Sequence, residues 1–257
     1  MKKPVDAHCH LCFEHFKGEE DEVVERSRKK VLRVYDCGAT PGTARRTLEL
    51  AERFEGFVFP TIGLHPPRAP RMQQSVIDDV VRIISEHTDR IAAIGEIGLD
   101  YYYVKEPGER RKMREIFERF LKLAEELDKP VVIHARDAEE HALEVLEGYD
   151  VVAMFHCYDG SAELARRIAD AGHYVSLSTI HVIRGSKDER TRELLETVPL
   201  GAALTETDSP YLSPVRGERN EPQNVWRIIE LLARVKGVPV DEVVETTTRN
   251  ALEFYDL

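Results

Sequence analysis

The stretch ERRKMREIFERFLKLAEELDKPVVIH, residues 109–134, decides the fold. From Glu109 to Leu127 the apolar side chains Met113, Ile116, Phe117, Phe120, Leu121 and Ala124 recur at steps of three and four, which gives a helix one apolar face. After Pro130 the pattern changes to a continuous apolar run, Val131-Val132-Ile133, that stops at His134. A run apolar at every position is a strand buried on both faces, as in a parallel sheet covered by helices. A helix feeding such a strand is one unit of an alternating α/β fold.

Working outward, runs of the same kind cover Val5 to His10, Val31 to Asp36, Val58 to Leu64, Ile91 to Ile97, Pro130 to His134, Val151 to His156, Tyr174 to Ser178 and Ala202 to Thr207. The segments between them carry helix signals. Pro41 opens one after the Cys37-Gly38 turn, and Ser75 to His87 places Val76, Val80, Ile83 and Ile84 at helical spacing. Ser161 to Gly172 begins at a good N-cap and ends at glycine. Pro222 to Val235 and Val240 to Tyr255 supply the closing helices, the second with Asp241 and Glu242 in its first turn, where they suit the helix dipole. Eight such units in 257 residues predict a (β/α)8 TIM barrel, with residues 1–257 as a single domain. A doubly wound open sheet is the alternative topology. The polar stretch Ser213 to Glu221 reads as a mobile loop over one end of the barrel.

Hydrophobic residues make up 42% and charged residues 32%, and the net charge is −11. That balance argues against a general nucleic-acid coating protein, which carries a basic stripe. It leaves room for an enzyme that holds phosphate locally through metal ions. Cys9 and Cys12 have CxxC spacing, but no second CxxC completes a four-thiolate site, so reduced thiols are the expected form. The N-terminal residues lack the apolar segment of a secretory leader, and no apolar run nears the length of a membrane span. The expectation is a cytoplasmic chain with no membrane association and no obligate protein partner.

The strongest local signal is His8-Cys9-His10, at the end of the first run. Residues i and i+2 of a strand face the same way, so both imidazoles share a side and Cys9 faces the other. Two neutral imidazoles side by side suit Zn, Mn, Fe or Ni; the plain alternative is a pair of ordinary histidines. Repetition favours the metal reading. Glu96, His134, His156 and Asp208 also close apolar runs. A barrel gathers its strand C-termini around one mouth, where catalytic groups sit. Ionisable residues ending buried runs are costly unless paired or metal-bound. Histidines and two carboxylates in this number are enough for two divalent ions, a pair that can clamp attacking and leaving oxygens.

The motifs then identify a resemblance. DAHCH (6–10), TIGLHP (61–66), GEIGLDYY (95–102), VIHARDA (132–138), FHCYDGS (155–161), TETDSPYLSP (205–214), RNEPQNV (219–225) and TTRNA (247–251) occur in this order along almost the whole chain. The sequence resembles the TatD family of metal-dependent deoxyribonucleases, in the amidohydrolase superfamily of TIM barrels. The resemblance implies a two-metal site, sometimes a three-metal one. His8 and His10 would bind one ion, His134 and His156 the second, and Glu96 would bridge them. Asp208 would complete the first site and contact the nucleophilic water. His65, in the GxHP motif, would stand near the substrate or a further ion. Glu206 would share a strand face with Asp208 and either support a ligand or act as one. The sequence departs from the family pattern at Cys12, Ala135 and Tyr158-Asp159-Gly160. Asp159 in particular puts a negative charge where a phosphate would approach.

The function this implies is hydrolysis of a phosphodiester, in DNA or a small molecule, by a metal-activated water. Asp208 would be the general base, Glu96 the other catalytic carboxylate, and His65 and Arg136 substrate contacts. The ions would be Zn, Mn, Mg or Ni. The alternative is an amidase, lactonase or deacylase on the same barrel. Amidohydrolases with a carboxylated lysine carry Lys at the end of the fourth strand; here that position is Glu96, which favours the nuclease-like subgroup. Arg136 has a second reading, as a partner of Asp137 or Glu139. Asp100 caps the next segment or hydrogen-bonds a ligand, and Tyr101, Tyr102 and Tyr103 either stack on unpaired bases or pack on the following loop. Asn224 reads equally as a helix cap or a substrate contact.

Overall fold

The structure is a computed structural model and describes residues 2–256. All eight expected strands form: β1 (Asp6–Cys9), β2 (Val34–Gly38), β3 (Val58–Ile62), β4 (Ala93–Asp100), β5 (Val131–Arg136), β6 (Ala153–Phe155), β7 (Tyr174–Leu177) and β8 (Ala203–Thr205). They pair in parallel, in chain order, in one sheet. Sequential order rules out the doubly wound alternative, whose strand order reverses at a switch point. The helices are α1 (Glu20–Arg28), α2 (Pro41–Arg53), α3 (Gln74–Glu86), α4 (Pro107–Glu126), α5 (Glu139–Leu146), α6 (Ala162–Asp170), α7 (Thr179–Arg184), α8 (Glu189–Thr197), α9 (Val225–Lys236) and α10 (Val240–Tyr255). The fold is a (β/α)8 barrel. No helix among the described residues is long and apolar enough to cross a membrane.

Two cores result. The larger lies between sheet and helices and takes the apolar faces read from the sequence, Met113, Ile116, Phe117, Phe120 and Leu121 of α4 among them. The smaller fills the barrel itself with Ala7, Tyr35, Ala93, Val132, Met154 and Leu204. α10 closes its lower end: the Tyr255 ring stacks on Tyr35 at 3.5 Å, and its hydroxyl donates to the Ala7 carbonyl at 2.6 Å.

The barrel shuts through the segment that follows β8. Asp208 N donates to His8 O at 3.1 Å, and His10 N donates to Ser209 O at 2.7 Å. Beneath them the buried Asp6 carboxylate accepts from Thr207 N at 2.8 Å and from Thr207 Oγ1 at 2.6 Å. Closure therefore brings His8-Cys9-His10 and Asp208, from opposite ends of the chain, into backbone contact. Two register irregularities fall on the same region, between Asp6 and Cys9 in β1 and between Gly95 and Ile97 in β4. Such irregularities re-aim side chains beside active sites. Gly98 permits the tight pairing that follows. Its φ is 139°, and a Cβ there would lie 2.1 Å from His134 O. The polar stretch Ser213 to Glu221 is anchored near its end: Asn220, buried, donates to Thr179 Oγ1, Thr207 O and Leu212 O at 3.0, 2.9 and 3.2 Å.

Candidate metal centre

Each candidate ligand leaves a strand end and turns toward the same mouth. Glu96 is the hub. Its Oε2 lies 3.1 Å from His156 Nε2 and 3.6 Å from His8 Nε2, and its Oε1 lies 3.4 Å from His65 Nε2. Asp208, held at a φ of 55° by the closing turn, sets Oδ1 3.4 Å from His10 Nε2 and 3.8 Å from His8 Nε2. His8 and His10 meet edge to face with their Nε2 atoms 3.2 Å apart. His134 offers Nδ1 to the centre, 3.3 Å from His156 Nε2, because its Nε2 is engaged by Asp100 Oδ2 at 3.0 Å. Asp100 thus serves both sequence readings, since its Oδ1 also accepts from Tyr103 N at 2.7 Å.

The donor set fits divalent ions for a specific reason. His10 Nδ1 bonds the Cys37 carbonyl at 2.9 Å, so Nδ1 carries the proton and Nε2 presents a lone pair. That lone pair faces a second imidazole nitrogen and a carboxylate, an arrangement that needs a cation between them. Without one, a proton fills the role. Burial alone would push His10 down, but the hydrogen bond to Asp208 and the charges of Glu96 and Asp208 raise it to about 9. Burial likewise works against ionised Glu96, and the charge of His65 with the hydrogen bonds of His156 and His8 hold it well below the usual carboxylate range. Burial pushes His65 down to about 4, against the charge of Glu96, which raises it. Three groups have their ligand atoms within 4.8 Å of one another: His8, His10 and Cys37; His8, His156 and Asp208; and His65, Glu96 and His134. The six expected ligands come together, and His65 joins them.

Glu206 lies, like Asp208, beyond the end of β8 rather than on it. It points toward β6 and β7. Oε1 accepts from Cys157 N at 2.7 Å, Oε2 accepts from Ser176 Oγ at 2.5 Å, and His156 Nδ1 stands 3.4 Å from Oε1. Arg136 has no carboxylate within ion-pair distance among the described residues, against the reading that pairs it with Asp137 or Glu139. It lies over the Tyr102 ring at 3.9 Å and the Tyr103 ring at 5.2 Å. Nor does Asp159 stand as a lone negative charge. Arg184 holds it in a bidentate pair. At the Cys12 departure, Cys12 N donates to Asp36 Oδ1 at 3.1 Å and Cys12 Sγ to Cys37 O at 3.1 Å, the carbonyl that orients His10. Asn224 makes no cap; its Nδ2 donates to Asn220 Oδ1 at 2.9 Å. His181, which follows the seventh strand, is fully buried with Nδ1 on Ser178. A cavity of about 900 Å³ opens onto the centre and is lined by Glu96, His65, Arg136, Asp208, Arg184 and Arg190 among others.

A parallel eightfold barrel with a buried histidine–carboxylate centre at its C-terminal mouth defines the class: a metal-dependent barrel hydrolase. The family model described as TatD related DNase matches residues 5–256, and the chain belongs to that family of metal-dependent hydrolases. A Methanocaldococcus jannaschii protein named uncharacterized metal-dependent hydrolase MJ1582 is 40% identical, over 98% of this chain and 97% of the relative. A Homo sapiens protein named deoxyribonuclease TATDN3 is 34% identical, over 98% of this chain and 94% of the relative. The crystal structure of YJJV, a TatD homologue from Escherichia coli, superposes with a TM-score of 0.89 at 24% identity, covering 98% of both chains, and shares the fold.

Proposed function

We propose that this chain, acting as one domain over residues 1–257, is a deoxyribonuclease that cleaves phosphodiester bonds at a centre of two divalent ions. The observation that carries the reading is the position of Glu96, whose two oxygens face histidines of three different strand ends. His8, His10 and Asp208 would hold one ion, His134 and His156 the other, and Glu96 would bridge. Ions held there supply Lewis acidity and a water acidified toward neutral pH. Asp208 would orient the attacking water and accept its proton as general base. Glu96 keeps the two halves of the centre in register. Glu206 holds His156. His65 and Arg136 donate hydrogen bonds to the phosphate oxygens as charge develops on them. The His/carboxylate donors suit Zn, Mn or Ni, and Mg less readily. Four free thiols, three of them buried, are the form expected in a reducing compartment, so the proposed site of action is cytoplasmic.

The test is turnover by metal-loaded protein on labelled single-stranded DNA, a generic phosphodiester and a panel of amides and esters. DNA cleavage that disappears in Glu96→Ala and in Asp208→Ala is the expected result. Cleavage that survives both substitutions comes from a contaminant and sinks the nuclease reading; turnover confined to the amides or esters replaces it with the amidase, lactonase or deacylase alternative.

A further inference from the structure

We propose that Arg184 and Arg190 form a phosphate subsite beside the metal centre, taking a backbone phosphate next to the one being cleaved, so that the substrate is a nucleic-acid strand rather than an isolated diester. The inference rests on the phosphodiesterase reading and names its substrate class.

Arg184 ends α7 and Arg190 stands in the first turn of α8. Nothing in the two helices alone would bring these guanidinium groups to one place. Asp159 does. Both of its carboxylate oxygens accept from Arg184, with Arg184 Nη2 to Oδ2 at 2.7 Å, and its backbone carbonyl accepts from Arg190 Nη2. Arg190 Nη2 also lies 3.9 Å from Asp159 Oδ1. Asp188, which caps α8, also lies near both arginines, so what the pair offers an anion is its guanidinium N–H groups beyond those Asp159 takes, not a large net charge. Both arginines line the same cavity as Glu96, His156 and Asp208. They also remain open to solvent, with side chains 30% and 60% exposed, so an incoming anion reaches them without unfolding the clasp.

Placement within the barrel sets where such an anion would sit. Arg136 leaves β5, His156 follows β6, and Arg184 follows β7. The metal centre's His156 therefore stands between two cationic lips, Arg136 on its tyrosine shelf and the Arg184–Arg190 pair. A cavity of about 900 Å³ is far larger than one phosphate group needs, and small-molecule pockets span about 300–1,000 Å³. On a chain of net charge −11, local guanidinium groups such as these, with Arg68 and Arg136 in the same cavity, give a polyanion a place to bind. Asp159 is then a positioning residue: it aims Arg184 through both carboxylate oxygens.

A purely structural clip between the loop after β6 and the α7–α8 segment predicts something different, which binding measurements separate. The probe is a 5′-labelled phosphorothioate dodecathymidylate, a slowly cleaved strand, read by fluorescence anisotropy on metal-loaded protein across a salt series. Hydrolysis of bis(p-nitrophenyl) phosphate, a diester with a single phosphate, is measured alongside. Arg184→Ala and Arg190→Ala should each weaken strand binding about five- to tenfold near 0.1 M salt and flatten the salt slope by about 0.7. The loss on the strand should exceed the loss on the small diester, and Arg184→Lys should keep most of the slope. An unchanged salt slope, or equal losses on strand and small diester, overturns the subsite. If the wild type binds the strand with the expected slope changes but turns over neither diester, the subsite is supported and the phosphodiesterase reading fails.

Discussion

Glu96 is almost completely buried and still ionised, because three histidines stand within 3.6 Å of its oxygens. Such a carboxylate is costly with one partner removed. The side chain that steadies the opposite edge of the centre is Glu206, which spends its acceptors on Cys157 N and Ser176 Oγ and leaves Oε1 3.4 Å from His156 Nδ1. Contacts of this kind tune metal affinity through the ligand they hold. Glu206→Gln should therefore lower divalent-metal affinity about 10- to 100-fold, read by titration against a competing chelator. An affinity equal to wild type would contradict that role. The six candidate ligands were legible in the sequence because each interrupts or closes an apolar run. Ring orientation was not: nothing in VVIHAR announces that Asp100 takes His134 Nε2 and leaves Nδ1 for the centre. The shared strand face expected for Glu206 and Asp208 also failed, because β8 ends at Thr205 and the closing turn sends the two carboxylates in different directions.

Among the elements, α1, α5, α7 and α8 carried too little pattern to be read. α7 is Thr-Ile-His-Val-Ile-Arg, rich in β-branched residues that favour strands. It is helical because Ser178 caps it, accepting from Ile180 N, while His181 Nδ1 accepts from Ser178 N in return. Since Arg184 and Arg190 sit on α7 and α8, the cationic wall of the cavity was hidden with them. The long, strongly periodic α4 and the N-cap at Ser161 were legible for the opposite reason, a full apolar face and a clear start signal. α1 is bound to the segment before α9 by Arg26, which grips Glu221 through two bonds of 2.6 Å with Arg219 at 3.4 Å. Burial would raise Glu221, but the hydrogen bond and charge of Arg26, with help from Arg219, hold it below its ordinary 4.5. A depressed carboxylate contributes stability above the unfolded value and loses it as pH falls through the folded one. Glu221→Gln should accordingly cost roughly 1 kcal/mol at pH 7, given that Arg26 is part-exposed, or about 2–4 °C in Tm for a chain of this size. The gap to wild type should close as pH falls below about 4.5, followed by thermal melts across pH. A gap that stays constant down to acid pH would contradict the pairing.

On the scale of the whole molecule, the same backbone bonds that shut the barrel also assemble the candidate metal centre. Asp208 N to His8 O and His10 N to Ser209 O join the last strand's exit to the first strand's end, and they set Oδ1 of Asp208 between two imidazoles. Closing the fold and gathering the candidate ligands are therefore one event, and the eight apolar runs that gave the barrel also marked, at their polar ends, where those ligands lie. In the proposed centre these side chains hold two ions, with Glu96 between them. Metal content settles it, measured by inductively coupled plasma mass spectrometry after equilibrium dialysis of the wild type and Glu96→Ala against manganese or zinc. Two equivalents per chain are expected for the wild type and no more than one for the variant; fewer than two in the wild type, or two retained in the variant, would rule out a two-ion centre held together by Glu96.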